Sequence, residues 1–280
     1  MDHRTYLKID LNKLEHNYNS VRNKLPSGVK LLGVIKANAY GNGAVEIGKF
    51  LDDKCDFFGV ACIEEAIELK KAGIKTPILI LGRVFPFDVE KAVKYDIRIP
   101  IFSYDDAVIL SNEAVKQNKN MPYHFCIDTG MSRIGFQVNE ESADICKRIT
   151  ELPNIFAEGM FSHFATSDEA DLSKAVEQRN KYKRFCKMLS DRKIEIPIKH
   201  LNNSAGIMNF DEYFDMCRMG IVTYGLYPSE EVDKSLLDIE PIMSWYTKIS
   251  HIKELEPKRE ISYGGTFITC LLYTSDAADD

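Results

Sequence analysis

Eight short apolar runs, rich in β-branched and aromatic residues, alternate along the chain with helix-length segments whose apolar residues lie three and four positions apart. The runs are residues 31–38, 57–62, 77–81, 97–102, 122–128, 156–164, 198–203 and 216–221. Strict alternation of strand and helix predicts a parallel sheet, because parallel neighbours need a crossover between them. Eight such units over roughly 190 residues, without a Gly-x-Gly-x-x-Gly sequence after the first strand, favour a closed (β/α)8 TIM-type barrel over an open dinucleotide-binding sheet.

The sequence pattern changes after about residue 240, where β-branched and aromatic residues alternate with Pro and Gly breaks and no helical period remains. This pattern predicts the start of an antiparallel β-domain. We therefore divide the chain into a barrel at 11–238 and the beginning of a C-terminal β-domain at 239–269. Residues 1–10 also alternate, and we expect them to supply a strand that pairs with the β-domain.

Charge and cysteine content restrict the partners and the compartment. The 36 basic and 42 acidic residues give a formal charge of −6, which disfavours nucleic acid as a partner. Seven cysteines without a Cys-x-x-Cys pair indicate reduced thiols in the cytoplasm. No run approaches the length of a membrane span and the N-terminus lacks the apolar core of a signal peptide, so we expect no membrane partner. No metal ion is expected at the functional site.

Polar residues that follow the predicted strands define the expected site, because barrel enzymes act at the C-terminal ends of their strands. Lys36 leaves the first run and is followed by a small, Gly-rich turn, AYGNG. A lysine that reaches the rim along its aliphatic stem would also explain this position. The turn allows a ligand to approach closely, which favours a Schiff-base lysine.

A second group of residues predicts an anion site. Asn203 and Ser204 offer a hydroxyl and backbone N–H groups at a strand-to-helix turn, and Gly220 and Ile221 add N–H groups after the eighth run. An ordinary serine N-cap and a plain tight turn would explain the same residues. Combined with a reactive lysine, a phosphate-binding site suggests pyridoxal phosphate.

Arg218, in the eighth run, is suited to face the ring nitrogen of that cofactor and keep it unprotonated. His163 is a candidate hydrogen-bond partner of Arg218. A salt bridge at the rim and a structural histidine are the alternative explanations of these two residues.

Six motifs together resemble bacterial alanine racemase: VIKANAYGNG (34–43), DTGMSRIGF (128–136), SHFATSDEAD (162–171), NNSAGI (202–207), RMGIVTYGLYPS (218–229) and SYGGTF (262–267). They occur in family order between about residue 5 and residue 269. The resemblance implies a fold-type III enzyme that depends on pyridoxal phosphate and forms a head-to-tail homodimer with shared active sites.

The resemblance also implies roles for single residues. Lys36 would bind the cofactor covalently and act as the base on the D-alanine face, and Tyr263 of the partner subunit would act on the L-alanine face. Arg133 would orient the substrate carboxylate. A hydrogen-bond chain through Arg218 and His163 would favour the phenolate of Tyr263. The residues expected near the phosphate are Tyr40, Asn203, Ser204, Gly220 and Ile221.

The sequence departs from the family at three places. Cys126 stands where many members carry a lysine modified to a carbamate that positions the arginine matching Arg133, so a bound anion, another polar partner or a looser orientation is expected here. Asn42 replaces a familiar histidine, which we expect to be tolerated. The match stops at Thr269, and residues 270–280 (CLLYTSDAADD) break the β pattern and resemble a translated sequencing adapter, so we expect a non-native tail and a poorly active chain.

These observations predict an alanine racemase that supplies D-alanine for peptidoglycan. A serine or broad-specificity racemase of the same family is the close alternative. A non-catalytic, pyridoxal phosphate-binding homeostasis barrel would share the lysine and the phosphate site, but SYGGTF and the segment after residue 240 favour the racemase. Lys36 disfavours a structural barrel that binds only a phosphate.

Overall fold

The eight apolar runs form eight parallel strands in the larger of two units, Leu11–Ile242. The computed structural model describes residues 3–270 and 273–276. Strand β1 (Thr5–Ile9) lies in the smaller unit, and a short strand β7 (Phe136–Gln137) pairs with β6. The strands of the larger unit are β2 (Lys30–Val34), β3 (Phe57–Val60), β4 (Ile78–Ile80), β5 (Ile99–Ile101), β6 (Met121–Asp128), β8 (Ile155–Phe161), β9 (Ile198–His200) and β10 (Met216–Met219).

Backbone hydrogen bonds close these strands into a barrel. Parallel ladders join β10, β2, β3 and β4 in one series and β5, β6, β8 and β9 in another. A bridge between Leu79 and Arg98 connects the two series, and the amide of Arg218 donates to the carbonyl of Asn202 at 2.9 Å on the other side. The predicted (β/α)8 barrel is confirmed.

Helices connect the strands as the helical periodicity predicts. Three of them begin with a side-chain cap: Ser103 accepts from the amide of Asp106 at 3.1 Å, Asn139 from the amide of Ser142 at 2.8 Å, and Asn203 from the amide of Gly206 at 2.9 Å. The helices are α1 (Leu11–Lys24), α3 (Ala44–Leu51), α4 (Ile63–Lys71), α5 (Val89–Lys94), α6 (Tyr104–Lys116), α7 (Glu140–Ile149), α8 (Ser173–Asp191) and α9 (Ser204–Asn209), and the segment α2 (Lys36–Tyr40) between α1 and α3 is a left-handed turn.

The larger unit extends four residues beyond the predicted boundary at residue 238. Ile239 and Ile242 are buried, and Ile239 belongs to an apolar cluster of the barrel. The amide of Glu240 donates to Asn17 Oδ1 at 2.7 Å, which attaches this segment to α1. Burial and hydrogen bonding therefore hold residues 239–242 on the barrel, where sequence pattern alone assigned them to the β-domain.

The smaller unit consists of short antiparallel pairs. Strand β1 pairs with β11 (Met243–Thr247), and the rings of Tyr6 and Tyr246 stack across the pair with their centroids 5.1 Å apart. The other strands are β12 (Ile252–Leu255), β13 (Glu260–Ile261), β14 (Phe267–Ile268) and β15 (Tyr273–Asp276). The antiparallel character predicted for the segment after residue 240 is confirmed.

One expectation about the C-terminal residues is wrong. Residues 273–276, predicted to break the β pattern, form β15 and pair antiparallel with β12, with Ile252 opposite Asp276. Tyrosine and threonine favour extended backbone. The prediction was made for the tail as a whole and did not consider this short segment by itself. Residues 271, 272 and 277–280 of the predicted non-native tail lie outside the described residues. Over the described part of the chain, none of the helices combines the length and apolar character needed to cross a membrane.

Candidate active site

A cavity of about 660 Å³ opens at the C-terminal ends of the barrel strands. All the barrel residues predicted for the site line this one cavity, although they come from five different strand-to-helix connections and one strand. They are Lys36, Tyr40, Arg133, His163, Asn203, Ser204, Arg218, Gly220 and Ile221. The tertiary structure thus brings together a lysine, two arginines, a histidine and several hydroxyl and amide groups.

Lys36 opens a left-handed turn. The four residues after it, Ala37 to Tyr40, have φ angles between 51° and 54°. Residues other than glycine adopt this conformation at a cost of about 1–2 kcal/mol each, so the surrounding structure must hold the turn in place. The turn carries Lys36 and Tyr40 into the same cavity.

Three side chains hold the turn. Glu65 Oε1 accepts from the amide of Ala37 at 2.7 Å, and Asn38 Oδ1 accepts from the amide of Ala44 at 2.8 Å. Asn42 Nδ2 donates to the carbonyl of Ala39 at 2.8 Å, so an amide side chain serves at the position where a histidine is familiar. Glu65 was missed by the sequence analysis, because an acidic residue in the first turn of a helix is ordinary.

The environment of Lys36 lowers the pKa of its ammonium group. Burial contributes most, and the nearby positive charges of Arg133 and Arg218 act in the same direction, whereas Glu65 opposes them. A lower pKa leaves more neutral amine at neutral pH, which is the form that attacks a carbonyl carbon.

A cradle of hydroxyl and amide groups lies on the other side of the cavity. Ser204 Oγ accepts from the amide of Gly220 at 3.1 Å. A Cβ atom on Gly220 would lie 3.2 Å from Ser204 Oγ and 3.8 Å from the hydroxyl oxygen of Tyr40, so the bare glycine leaves open the space beside both hydroxyl groups. The sequence-based alternative of a serine N-cap is wrong, because Asn203 caps α9 by accepting from the amide of Gly206 at 2.9 Å.

Tyr224 packs against the Tyr40 side of this cradle. Its hydroxyl donates to the carbonyl of Val34 at 2.8 Å, and its ring lies 5.0 Å from the ring of Tyr40. Tyr224 therefore links the end of β2 to the tyrosine that faces the anion cradle. In the sequence, Tyr224 lies in the RMGIVTYGLYPS motif, three residues after Ile221, which is the signal that places it near the site.

Arg218 is buried and its terminal nitrogens are fully engaged. Nη2 lies 3.1 Å from His163 Nδ1, so the predicted contact between these two residues is present. Nη2 also donates to the carbonyls of Ser162 at 2.7 Å and Leu201 at 2.9 Å. Burial and then the charge of Arg218 lower the pKa of His163 to about 3, which keeps this imidazole neutral.

Cys126 is buried behind the loop that carries Arg133. Its Sγ donates to the carbonyl of Ile134 at 3.8 Å, and burial raises its pKa to about 12, so the thiol is neutral. The loop itself is shaped by Asp128, whose Oδ1 accepts from the amides of Gly130 and Ser132 at 2.9 Å. A neutral thiol brings no negative charge toward Arg133. That a bound anion or another polar group holds Arg133, or that its orientation is looser, stays a prediction.

Tyr263 belongs to the smaller unit, where its side chain is fully exposed. The sequence analysis also missed His124, Glu158 and His200, which lie behind Arg218 in the barrel interior. The available signal was a titratable residue inside an otherwise apolar strand, as in PYHFCID, FAEGMF and IKHLNN. Such residues are rarely buried unless they are hydrogen-bonded.

The fold and the cavity together define a class of protein, a (β/α)8-barrel enzyme with a lysine-centred site facing an anion cradle. Residues 9–228 match the family model "Alanine racemase, N-terminal domain". The chain belongs to the alanine racemase family, whose members are isomerases.

Individual relatives agree with this assignment. An alanine racemase of Clostridium tetani is 42% identical over 266 residues, which cover 94% of this chain and 68% of the relative. The solved structure of alanine racemase from Clostridium difficile 630 superposes with a TM-score of 0.95 at 40% identity, over 98% of this chain and 72% of that one. Alanine racemase from Bacillus anthracis, solved with bound L-Ala-P, superposes with a TM-score of 0.89 at 32% identity, over 98% of this chain and 72% of that one.

Proposed function

We propose that this chain is an alanine racemase that uses pyridoxal phosphate to interconvert L-alanine and D-alanine. The D-alanine would supply peptidoglycan synthesis. The observation that carries the proposal is the cavity at the barrel's C-terminal end, where a lysine of lowered pKa faces a cradle of hydroxyl and amide groups. The relatives at 40% identity and above carry the same activity in their names.

The residues of the cavity fit the cofactor. The space left by Gly220 beside Ser204 Oγ and the Tyr40 hydroxyl suits the phosphate, with Ile221 and Asn203 at its edge. Lys36 is the residue that would hold the cofactor covalently. Pyridoxal phosphate, when bound, supplies an electron sink that acidifies the α-proton of an amino acid.

Arg218 is the residue assigned to the ring nitrogen of the cofactor. Its pKa, lowered by burial to about 10, still leaves the guanidinium charged at neutral pH. A permanently charged donor gives its hydrogen bond without giving up its proton. Arg218 would therefore keep the ring nitrogen unprotonated and limit the electron sink.

Racemisation needs one proton-transfer group on each face of the substrate. The Lys36 amine, once released from the cofactor, would take the α-proton of D-alanine, and its lowered pKa suits this role at neutral pH. Tyr263 would act on the L-alanine face from the partner subunit of a homodimer. Its full exposure in the smaller unit is compatible with a role outside its own barrel. Arg133, at the cavity wall, would orient the substrate carboxylate.

The cytoplasm is the proposed compartment. Cys126, Cys146 and Cys217 are free thiols buried in the barrel. Unpaired, buried thiols are typical of proteins that fold in a reducing compartment.

Borohydride trapping tests the cofactor assignment without relying on turnover. Reduction of the full chain after addition of pyridoxal phosphate is expected to fix one cofactor on the peptide containing Lys36, as detected by mass spectrometry. Lys36→Ala should remove both this label and the visible absorbance of the bound cofactor. Lys49→Ala, a change on the exposed face of α3, is the matched control and should retain both. Labelling elsewhere with no dependence on Lys36 would rule the cofactor site out.

Exchange of the alanine α-proton in heavy water tests the reaction and the two faces separately. We expect slow exchange from both enantiomers with the unaltered chain, in line with the poor activity expected of it, and exchange from D-alanine alone with Tyr263→Phe. The same assay with serine measures substrate preference. If serine exchanges its α-proton as fast as alanine or faster, alanine is not the preferred substrate. Undiminished exchange of both alanine enantiomers in Tyr263→Phe would refute the role of Tyr263.

Mixing two variants tests the shared site. Lys36→Ala and Tyr263→Phe subunits, unfolded and refolded together, would form heterodimers in which one site has both intact groups. Random pairing should then restore about a quarter of the racemase activity of the unaltered protein refolded in parallel. Each variant refolded alone is the control. If Tyr263 acts within its own subunit, the mixture stays as inactive as its components.

A further inference from the structure

A row of titratable side chains, three buried and two partly buried, runs from Arg218 through the barrel interior. Arg218 Nη1 lies 3.0 Å from His200 Nδ1. His200 Nε2 lies 2.9 Å from His124 Nδ1, and His124 Nε2 lies 3.2 Å from Glu158 Oε2. Arg98 closes the outer end, since its Nε and Nη2 each lie 3.1 Å from a different carboxylate oxygen of Glu158. We call these five residues the interior relay.

Four of the five relay residues lie on barrel strands. His124 lies on β6 and His200 on β9, which are not neighbours in the sheet, so their side chains meet across the inside of the barrel. Both rings are completely buried. A Cβ atom on Gly159 of β8 would lie 2.4 Å from His124 Cε1, so this glycine leaves the space that the imidazole occupies.

The carboxylate of Glu158 sets the direction of the hydrogen bonds. Hydrogen bonds from His124 and Arg98 lower the pKa of Glu158 to about 2 despite its burial, so the group is an acceptor only. His124 must therefore carry its hydrogen on Nε2. Burial lowers the pKa of His124, which keeps the ring neutral and leaves a lone pair on Nδ1.

The same reasoning continues to the cavity. His124 Nδ1 accepts a hydrogen bond, so His200 carries its hydrogen on Nε2. Burial and the charge of Arg218 lower the pKa of His200, so this ring is neutral as well and its Nδ1 accepts from Arg218. From Arg218 through His200 and His124, each N–H therefore points from the cavity toward Glu158, and Arg98 donates to the same carboxylate from the outer end. This is the single arrangement that satisfies each pair.

We propose that Glu158 and His124 are positioning residues, which act through His200 to hold the Arg218 guanidinium in one orientation and one hydrogen-bonding state at the cavity. Arg218 Nη1 donates both to His200 Nδ1 and, at 3.1 Å, to the His200 carbonyl, so the plane of the guanidinium follows the ring. With Nη1 and Nη2 engaged by the barrel, the Nε–H is the donor left for a group in the cavity. The part of this inference that concerns the cofactor rests on the proposed function.

The direction of the relay can be measured without a cofactor. Long-range ¹H–¹⁵N spectra of the full chain labelled with ¹⁵N at histidine should show His124 and His200 as neutral Nε2–H tautomers at pH 7. The resonances are assigned from the signals that disappear when each histidine is replaced in turn. An Nδ1–H tautomer or a doubly protonated ring at either position would overturn the proposal. This result is independent of whether pyridoxal phosphate binds.

Glu158→Gln tests the action at a distance, and Glu113→Gln is its matched control. The two glutamates have side chains of similar exposure, 17% and 16%, and both are paired with a cation, but Glu113 lies on α6. We expect Glu158→Gln to shift the ¹⁵N resonances of His200, two hydrogen bonds away, while Glu113→Gln leaves them in place. Circular dichroism verifies that both variants fold.

The effect on Arg218 is read from the bound cofactor. In Glu158→Gln we expect a changed absorbance maximum of bound pyridoxal phosphate, together with a fall in kcat of about tenfold at a nearly constant KM, as for one weakened hydrogen bond to a charged group. Glu113→Gln should change neither. A folded Glu158→Gln variant with an unaltered histidine spectrum, or with an unaltered cofactor spectrum and kcat, would show that Glu158 does not position Arg218. Failure of the proposed function would instead show as loss of borohydride labelling at Lys36 in the unaltered chain.

Discussion

Gly220 illustrates how one residue determines what the cavity can hold. Its backbone amide donates to Ser204 Oγ, and its missing side chain leaves the space beside Ser204 and the Tyr40 hydroxyl open. Sequence analysis identified all three residues as candidates, Ser204 and Gly220 because they follow predicted strands and Tyr40 because the family resemblance implied it. It gave no means of knowing that they surround one space.

Gly220→Ala should therefore weaken phosphate binding selectively. Over-packing a tight site costs about 1–3 kcal/mol, so the Kd for pyridoxal phosphate should rise by roughly fivefold to 150-fold. The Kd for pyridoxal, which lacks the phosphate, should hardly change. Absorbance titrations with the two compounds measure this difference. Gly48→Ala, whose added methyl group would be in ordinary van der Waals contact in α3, is the control. Equal losses for both compounds would contradict a phosphate site at Gly220.

At the scale of an element, the left-handed turn after β2 is the feature least expected from the sequence. The motif AYGNG predicted a turn, but alanine and tyrosine ordinarily avoid positive φ angles. The conformation is selected by contacts made elsewhere, above all by the Glu65 carboxylate on the amide of Ala37. A residue of helix α4 thus decides the geometry of the segment that carries Lys36.

Ala37→Gly should raise the free energy of unfolding by about 0.5–1 kcal/mol, because glycine adopts the φ of 51° without the steric penalty of a Cβ atom. Ala72→Gly is the control of opposite sign, since Ala72 ends α4 with a right-handed φ of −74°. Urea titrations followed by circular dichroism give both values. Destabilisation of Ala37→Gly to the same extent as Ala72→Gly would mean that the turn is not strained.

At the scale of the whole molecule, the barrel interior holds several histidines in the neutral form. Burial lowers the pKa of His124, His163 and His200 below the ordinary value of 6.5. The unfolded chain therefore binds protons first as the pH falls. The stability associated with these groups is fully present above about pH 6.5 and is lost as the pH falls toward their folded pKa values. For Glu158 the corresponding loss occurs between its ordinary value of 4.5 and about 2.

The free energy of unfolding should thus decrease between pH 6.5 and 4.5 by up to about 1.4 kcal/mol per pH unit for each neutral histidine. His163→Asn removes one such group, and the slope should become shallower by about that amount. His251→Gln, a change at an exposed position of the smaller unit, should leave the slope as it is. Urea unfolding curves at pH 7.5, 6.5, 5.5 and 5.0 supply the comparison. Parallel slopes for His163→Asn and the unaltered chain would show that His163 is not buried neutral.

The eight strands, their parallel barrel and the presence of Lys36, Ser204 and Arg218 among the candidate site residues could be predicted from the sequence, because they follow from local periodicity and from residues placed at strand ends. The left-handed turn, the limit of the barrel unit at Ile242 and the interior relay behind Arg218 could not be predicted without the fold. Each of these depends on contacts between residues far apart in the chain. His124 and Glu158 in particular look like isolated polar residues in apolar strands until the pairing of β6 with β8 places them within hydrogen-bond distance of each other.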